Sequence, residues 1–522
     1  MVDTPPEHMS LWIATAPGPT FPRLLGDLTV DVAILGGGIA GLTTATLLKQ
    51  AGKTVAVIEA DQVVRGVTGY TTAKVTAQHN LIYADLIDTF GEDAARIYAH
   101  SNQAALERIA QFVAEDGIDC DFERKPNYCY SESATDLTML EEEVTAAQNL
   151  GLPASLVTAT GLPFPVAGAL RVDHQAQFHP RKYLLQLAAR IPGAGSFIFE
   201  HTRALDVEES NPHRVITDQG VLQAQDVVVA THYPILDRGL FFARVFPRRE
   251  YVICVRANEG TDPHGMYISI GEPTRSVRTA PSPDGLLLVI GGEKHRPGED
   301  PDTNARYRQL EHFARERFGC DQVVYRWSTQ DTYAVDRVPY IGRLRPGADH
   351  LYVATGFGAW GMTNGTLAGM IIADAILGVV NPWAELYYPS RLNLRASAAK
   401  LLKEGANVAR HFIGDRLAGG ETFPDAIPPG EGAIVNHHGE KVAVYKDEQG
   451  KLHGVSPVCT HLGCLVGWNT AEKSWDCPCH GSRFDVTGQV IHGPAVANLA
   501  QQNLADRSGM AAYRDGTEDD RA

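Results

Sequence analysis

The chain has 522 residues, 44% apolar and 21% charged, with a net charge of −16; it is too long for one hydrophobic core, so two or three domains are expected. The acidic balance argues against nucleic acid as a general partner and against a membrane held by basic patches. No run of eighteen apolar residues occurs, and the opening MVDTPPEHMS lacks a basic-then-apolar leader, so no integral membrane segment and a cytoplasmic location are expected.

Residues 1–28 are Pro-rich and are expected to form an irregular arm anchored by Trp12 and Phe21. Val32–Leu35 and Thr54–Ile58 are apolar runs flanking a glycine-rich turn and a helical pattern, which predicts a β-α-β unit of buried parallel strands. Helical periodicity covers 82–115, 180–191 and 304–318; Ala224–Ala230 and Leu351–Thr355 are further buried strands, and Tyr251–Arg256 and Gly285–Ile290 belong to a second sheet. Leu351–Thr355 leads through Gly356 into a long helix ending near Leu377, which contains Asp374 and is expected in the core. A helical connector and a Gly/Pro-rich linker follow. Short strands and turns from 433 to about 503 predict a small all-β domain, and the acidic residues 506–522 form a tail.

Gly36, Gly38 and Gly41 form G-x-G-x-x-G between the first strand and helix. This spacing suits a tight turn, close approach of a pyrophosphate and close helix–strand packing, in that order. Glu59 closes the second strand where a ribose-binding acid belongs. The Gly/Thr-rich stretch 65–80 suits a loop laid along an extended cofactor. A second glycine segment, 356–365, again runs from strand to helix, and its helix N-terminus suits the electron-rich edge of a reduced flavin. FAD needs two such contacts; NAD needs one, with 356–365 then a plain strand-to-helix turn.

GGGIAGL (36–42), ATHYP (230–234), DRVPYIG (336–342) and the late glycine segment together resemble the glycine/D-amino-acid oxidase (DAO) family of FAD enzymes over roughly 30–385. The resemblance implies FAD contacts at Gly36, Gly38, Gly41, Glu59, Thr72, Gly361, Met362 and Thr363, and amines or amino acids as substrates, oxidised by hydride transfer.

Of eight cysteines, Cys120, Cys129, Cys254 and Cys320 are scattered and expected as small buried hydrophobes, whereas Cys459, Cys464, Cys477 and Cys479 crowd together. Cys459-x-His461 and Cys477-x-x-His480 can each supply one thiolate and one imidazole, the donor set of a Rieske centre, with the cysteines on one iron and the histidines on the other. A Cys₂His₂ zinc site is the competing reading of the spacing. The string CTHLGC…CPCHGS resembles Rieske proteins, and Gly463, Gly467, Gly481 and Gly493 suit loops wrapped around a [2Fe-2S] cluster. In the Rieske proteins of quinol-oxidising complexes the cysteines matching Cys464 and Cys479 form a disulfide, so the resemblance implies one here, two free thiols being the alternative in a reducing compartment. Those proteins also place a Ser at Ser482 and a Tyr where this chain has Phe484. One fewer hydrogen bond to sulfur implies a potential in the lower or middle part of the range of about −150 to +300 mV.

The whole arrangement resembles bacterial proteins in which an oxidase-like FAD domain is fused to a Rieske domain, through TTAKVTAQH (71–79), 326–342 and 472–485. The expected fold class is α/β (α+β), a Rossmann-like FAD-binding domain with an interleaved antiparallel-sheet substrate domain, plus a small all-β Rieske domain. The expected divisions are arm 1–28, FAD-dependent oxidoreductase domain 29–385 with its substrate part near 117–175 and 246–325, connector 386–425, Rieske domain 426–505 and tail 506–522. The expected function is a dehydrogenase passing electrons from a small-molecule substrate via FAD and cluster to an external acceptor. The rivals are an oxygen-using oxidase with a structural cluster, an electron-transfer module serving a partner protein, and a redox sensor gated by Cys464 and Cys479. Catalytic candidates are His79, Arg248, Arg249, Tyr251, Trp360 and Met362, an arginine being suited to pair a substrate carboxylate. His174 and His179 have the spacing of a mononuclear iron pair but lack a carboxylate partner, and a structural role is expected for them.

Overall fold

The computed structural model describes residues 8–391, 402–408, 410, 424–437 and 439–504; the acidic tail and much of the connector lie outside these. Two large sheets and two small ones organise the chain.

The first sheet has eight strands. Its core is parallel: Phe197–Phe199, Val55–Ile58, Leu28–Leu35, Val221–Val229 and Leu351–Thr355 lie side by side, with Tyr340–Arg343 antiparallel at one edge. The apolar runs are buried on both faces, as a parallel sheet between two layers requires. The helices Ile39–Gln50 and Gly361–Leu377 cover one face. They approach closely: a Cβ on Gly369 would lie 2.6 Å from the Thr43 side chain. The hairpin Ala204–Glu208/His213–Thr217 extends the sheet, and Tyr233, Leu236 and Phe241 pack into the apolar cluster on the opposite face.

The second sheet has nine strands and is antiparallel except where Met266–Ser269 runs parallel to Glu123–Ser131. It takes in the two-residue strand Lys74–Val75 and runs on through Val323–Ala334. The arm is more ordered than its prolines suggest. Ser10 caps a short helix, Leu11–Thr15, and Trp12 is buried, its Nε1 donating to the Thr71 carbonyl at 2.6 Å. Trp327 donates likewise to the Tyr70 carbonyl at 2.8 Å, so two indoles pin the loop after Glu59.

The remaining strands make two four-stranded antiparallel sheets. One is Gly432–His437, Glu440–Lys446, Leu452–Val455 and Gln501–Gln502; the other is Gly467–Asn469, Ser474–Asp476, Arg483–Phe484 and Val490–His492. This domain docks backbone to backbone on the part of the chain that holds the two large sheets. A Cβ on Gly467 would lie 2.1 Å from the Gly298 carbonyl oxygen, and one on Gly298, whose φ is +70°, would lie 2.3 Å from the Asp476 carbonyl oxygen. Gln330 Nε2 donates to the Gly481 carbonyl at 2.8 Å, and Thr303 Oγ1 donates to Asn469 Oδ1 at 2.8 Å.

Such contact leaves no room for a side chain. We expect Gly467→Val to cost about 1–3 kcal/mol, the range of overpacked interiors. Calorimetry should show the loss as a lowered unfolding temperature, and an unchanged temperature would mean that the two backbones do not meet there.

Candidate functional site

A cavity of about 770 Å³ runs from Glu59 to Trp360 and opens on both large sheets. Two helix N-termini face it, at Gly38–Ala40 and at Trp360–Met362; neither N-cap residue caps its helix with its own side chain, and of the first helix Ile39 N–H donates to Thr68 Oγ1 at 3.3 Å. N–H groups at a positive dipole end suit a diphosphate at the first and an electron-rich ring edge at the second. Gly36 has φ +111°, and a Cβ there would lie 2.4 Å from the Ala230 carbonyl oxygen, so only glycine makes this turn. Glu59 is held in place by the backbone: Gly37 N–H and Asp61 N–H donate to its two oxygens at 2.9 and 3.0 Å. These features fit FAD, which would lie along Gly36, Gly38, Glu59, Thr72, Gly361 and Met362, all of which line the cavity.

Two further expected cofactor contacts face packed surroundings. Gly41 faces the turn rather than the cavity, and a Cβ there would lie 2.0 Å from the Gly36 carbonyl oxygen. Thr363 is the third residue of the helix and is buried; its Oγ1 donates to the Thr76 carbonyl at 3.1 Å and meets His79 Nε2 at 3.0 Å.

The catalytic candidates separate in the same way. His79 lines the cavity stacked on Trp360, with ring centroids 4.9 Å apart, but both its nitrogens are engaged, Nδ1 with the Tyr98 hydroxyl at 2.6 Å. Burial lowers its pKa to about 3, so it is a neutral wall residue. Tyr251 turns away from the cavity, its hydroxyl meeting His295 Nε2 at 3.1 Å. The register against Gly285–His295 shifts between Arg249 and Tyr251, and both Arg249 and Glu250 reach the cavity wall. Arg248 pairs with Glu404 at 3.0 Å. His179 caps the helix Pro180–Ala189 and meets Thr15 Oγ1 at 3.0 Å, a structural position.

Arg249 is buried in the cavity wall, yet its guanidinium is already paired. Glu472, from the all-β domain, accepts from it, and so does Ser328 Oγ. Glu472 also accepts from Arg483 at 2.9 Å. Burial opposes ionisation of Glu472, but Arg249 and Arg483 outweigh it and hold the carboxyl below its ordinary range. The chain thus already supplies one carboxylate to Arg249 through Nη2, while its Nε is buried without a hydrogen-bond partner. His492, Gly493 and Val496 of the same domain also line the cavity, and His492 Nε2 lies 3.2 Å from His232 Nδ1 of the opposite wall.

Sequence reading missed other groups in the wall. Lys294 lies 3.1 Å from Glu250, over the ring of Tyr333, and the Tyr333 hydroxyl donates to Glu250 at 3.1 Å. Lys74 is buried, and its Nζ donates to the Tyr267 carbonyl at 2.5 Å. Burial pushes its pKa down to about 7. A lysine between apolar and small residues in TTAKV was the one available signal.

The cysteine–histidine segment forms two loops of like construction. Gly463 N–H donates to the Cys459 carbonyl and Gly481 N–H to the Cys477 carbonyl, each at 3.0 Å. They bring Cys459 and Cys477 close enough to share a hydrogen bond, which pushes the Cys459 thiol down to about 6 and the Cys477 thiol up. His461 and His480 stand beside each other, with ring centroids 5.0 Å apart. His461 Nδ1 is buried without a hydrogen-bond partner, as an atom meant for a metal would be. Cys464 and Cys479 are joined by a disulfide that ties the loops together. A third sulfur, Cys477, lies within 4.8 Å of that pair, but the bridged sulfurs are not thiolates. Ser482 is fully buried, accepts from Ala495 N–H at 3.0 Å and hydrogen-bonds Cys459. Two thiols, two imidazoles and an orphaned ring nitrogen fit a [2Fe-2S] cluster held by Cys459, Cys477, His461 and His480.

Two outcomes follow from this chemistry. Cys477→Ser should lose iron and acid-labile sulfide but keep flavin, whereas Cys320→Ser should keep both; metal analysis with flavin absorbance decides. For Lys74, between about pH 7 and its ordinary 10.5 the unfolded chain binds a proton that the folded chain refuses. Stability therefore rises with pH across that window, by up to about 1.4 kcal/mol per unit. Lys74→Met should gain most over the unsubstituted protein at pH 7 and nothing near 10.5. Parallel stability profiles from denaturant melts would show that Lys74 keeps its proton.

Known proteins place both halves. The family model described as FAD dependent oxidoreductase (DAO) matches residues 31–375, and that of the Rieske [2Fe-2S] domain matches 422–503. YhfW of Bacillus subtilis (strain 168), which bears the name of a Rieske 2Fe-2S iron-sulfur protein, is 37% identical over 495 residues, 94% of this chain and 97% of the relative. The cytochrome b6-f complex iron-sulfur subunit of Synechococcus elongatus is 34% identical over 141 residues, 27% of this chain and 71% of the relative. Among solved structures, glycine oxidase from Geobacillus kaustophilus has a TM-score of 0.60 at 20% identity, with coverage of 70% of this chain and 99% of that one. L-proline dehydrogenase from P. horikoshii has a TM-score of 0.58 at 19% identity, with coverage of 70% and 98%. No helix among the described residues is long and apolar enough to cross a membrane. The chain belongs to the DAO family of FAD dependent oxidoreductases and carries a Rieske [2Fe-2S] domain on the same polypeptide.

Proposed function

We propose that this chain is a dehydrogenase that takes electrons from an amine or amino acid and delivers them, by way of FAD and the cluster, to an external acceptor. One observation carries the reading. The stretch after the strand Val221–Val229 serves both sites at once: Thr231 and His232 line the flavin cavity, and Tyr233 packs edge-on against His461 and His480, at centroid distances of 6.2 and 5.8 Å. When bound, FAD accepts two electrons as hydride and the cluster relays one at a time.

The chain's own residues shape what enters. The Rieske domain walls one side of the cavity with Glu472 and His492 and helps to exclude water. Arg249 is paired with Glu472 and Lys294 with Glu250, so substrate recognition rests on Lys74, Ser276 and the Lys294–Glu250–Tyr333 group. Lys74 is suited to take the proton of a substrate ammonium near neutral pH. The structural neighbours named for glycine and proline oxidation support an amine or amino acid as substrate class.

Mixing the holoprotein under argon with a panel of amines, amino acids and NAD(P)H tests this reading. Flavin absorbance should fall first and cluster absorbance second. Reduced flavin beside a cluster that stays oxidised, with one peroxide formed per substrate in air, would favour an oxidase. Reduction by NAD(P)H alone would favour an electron-transfer module.

A further inference from the structure

Both cluster histidines turn their outer nitrogens onto the flavin domain. His461 Nε2 lies 3.2 and 3.3 Å from the two oxygens of Asp237, and His480 Nε2 lies 3.2 Å from the Phe242 carbonyl oxygen. Nδ1 of His461, by contrast, is buried without a hydrogen-bond partner. The acceptors sit on a braced segment. Arg238 is tied to Asp206 at 2.8 Å, to Glu209 at 3.0 Å and to the Val207 carbonyl at 2.7 Å. Arg244 donates to the Gly239 and Pro389 carbonyls, each at 2.6 Å, and Tyr233 is buried between the segment and both imidazoles.

We infer that the flavin domain supplies the outer hydrogen-bond acceptors of both cluster histidines, with Asp237 the positioning residue that sets the orientation and charge of His461. The inference rests on the assignment of His461 and His480 as iron ligands. An imidazole bound to a metal through one nitrogen presents N–H at the other. A carboxylate accepting that N–H makes the ring a stronger donor and favours the oxidised cluster, and a neutral carbonyl does so less. The two imidazoles are therefore inequivalent: His461 faces an anion and His480 a peptide oxygen. Neither Nε2 is open to an external quinol in this arrangement, so the histidine edge belongs to the chain's own flavin domain.

The test uses the full-length holoprotein and three substitutions, Asp237→Asn, Asp237→Ala and Asp237→Glu. Cluster midpoint potential is read by EPR-monitored redox titration, and the two imidazole nitrogen couplings by pulsed EPR. Asp237→Asn, isosteric and expected to keep iron and flavin, should raise the potential and change one coupling while sparing the other. Asp237→Ala should do the same, and Asp237→Glu should move both readouts back toward those of the unsubstituted protein. Unchanged potential and couplings in both Asp237→Asn and Asp237→Ala, with cluster content intact, would overturn the role of Asp237. An unsubstituted protein without iron or labile sulfide would overturn the ligand assignment itself, and the inference with it.

Discussion

Glu472, a carboxylate of the Rieske domain whose side chain is 12% exposed, sits between the buried Arg249 of the flavin domain and Arg483 of its own domain. Charges in such a place are tolerated only when paired and hydrogen-bonded, and removing one partner of a buried pair typically costs about 3–5 kcal/mol. Here the set is extensive: Arg483 also donates to Asp476 at 2.9 Å, and Asp476 in turn accepts from Asn469 at 2.9 Å and Ser474 at 2.8 Å. The Rieske domain cannot slide or rotate on its partner without stranding at least one of these ions. Around this centre the backbones meet at Gly298 and Gly467, and Arg296 reaches across to the Pro478 carbonyl at 3.2 Å beside the second cluster loop.

Several properties of the site depend on that docking. It pairs the buried arginine of the cavity wall with a carboxylate from the other domain through Nη2. It makes the Rieske domain part of the cavity, with His492 set against His232. It also places the cluster histidines on the segment that follows Val221–Val229, the central parallel strand whose end lies against the glycine turn. A hydride acceptor and a one-electron relay are thereby held against one short stretch of chain.

The cavity wall carries several charges, and they are mostly spoken for within the protein: Lys294 with Glu250, Arg249 with Glu472, Arg337 with Asp85 at 3.0 Å. Lys74 differs because it donates to a backbone carbonyl, that of Tyr267, and burial above all pulls its pKa down to about 7. His79 shows the opposite balance. It is just as buried, but every ring nitrogen has a partner, so it braces Trp360 and the second helix instead of exchanging protons.

Local chemistry at close spacing could be read from the chain alone. Gly36-x-Gly38-x-x-Gly41 with Glu59, and Cys459-x-His461 with Cys477-x-x-His480, lie within short stretches whose backbone geometry follows from the residues themselves, so the parallel sheet, FAD and the cluster donor set were all legible there. Thr363, Gly41 and Tyr251 were named for the right neighbourhood but turn to the packed side, because helix phase and a bulge at 249–251, not motif membership, decide which way a side chain points. Glu472 and Arg249 are separated by 223 residues and Asp237 and His461 by 224, and no local pattern links either pair. Only the tertiary structure brings them together, since which buried charge finds which counter-charge depends on how whole domains dock and on nothing encoded in the neighbourhood of either residue.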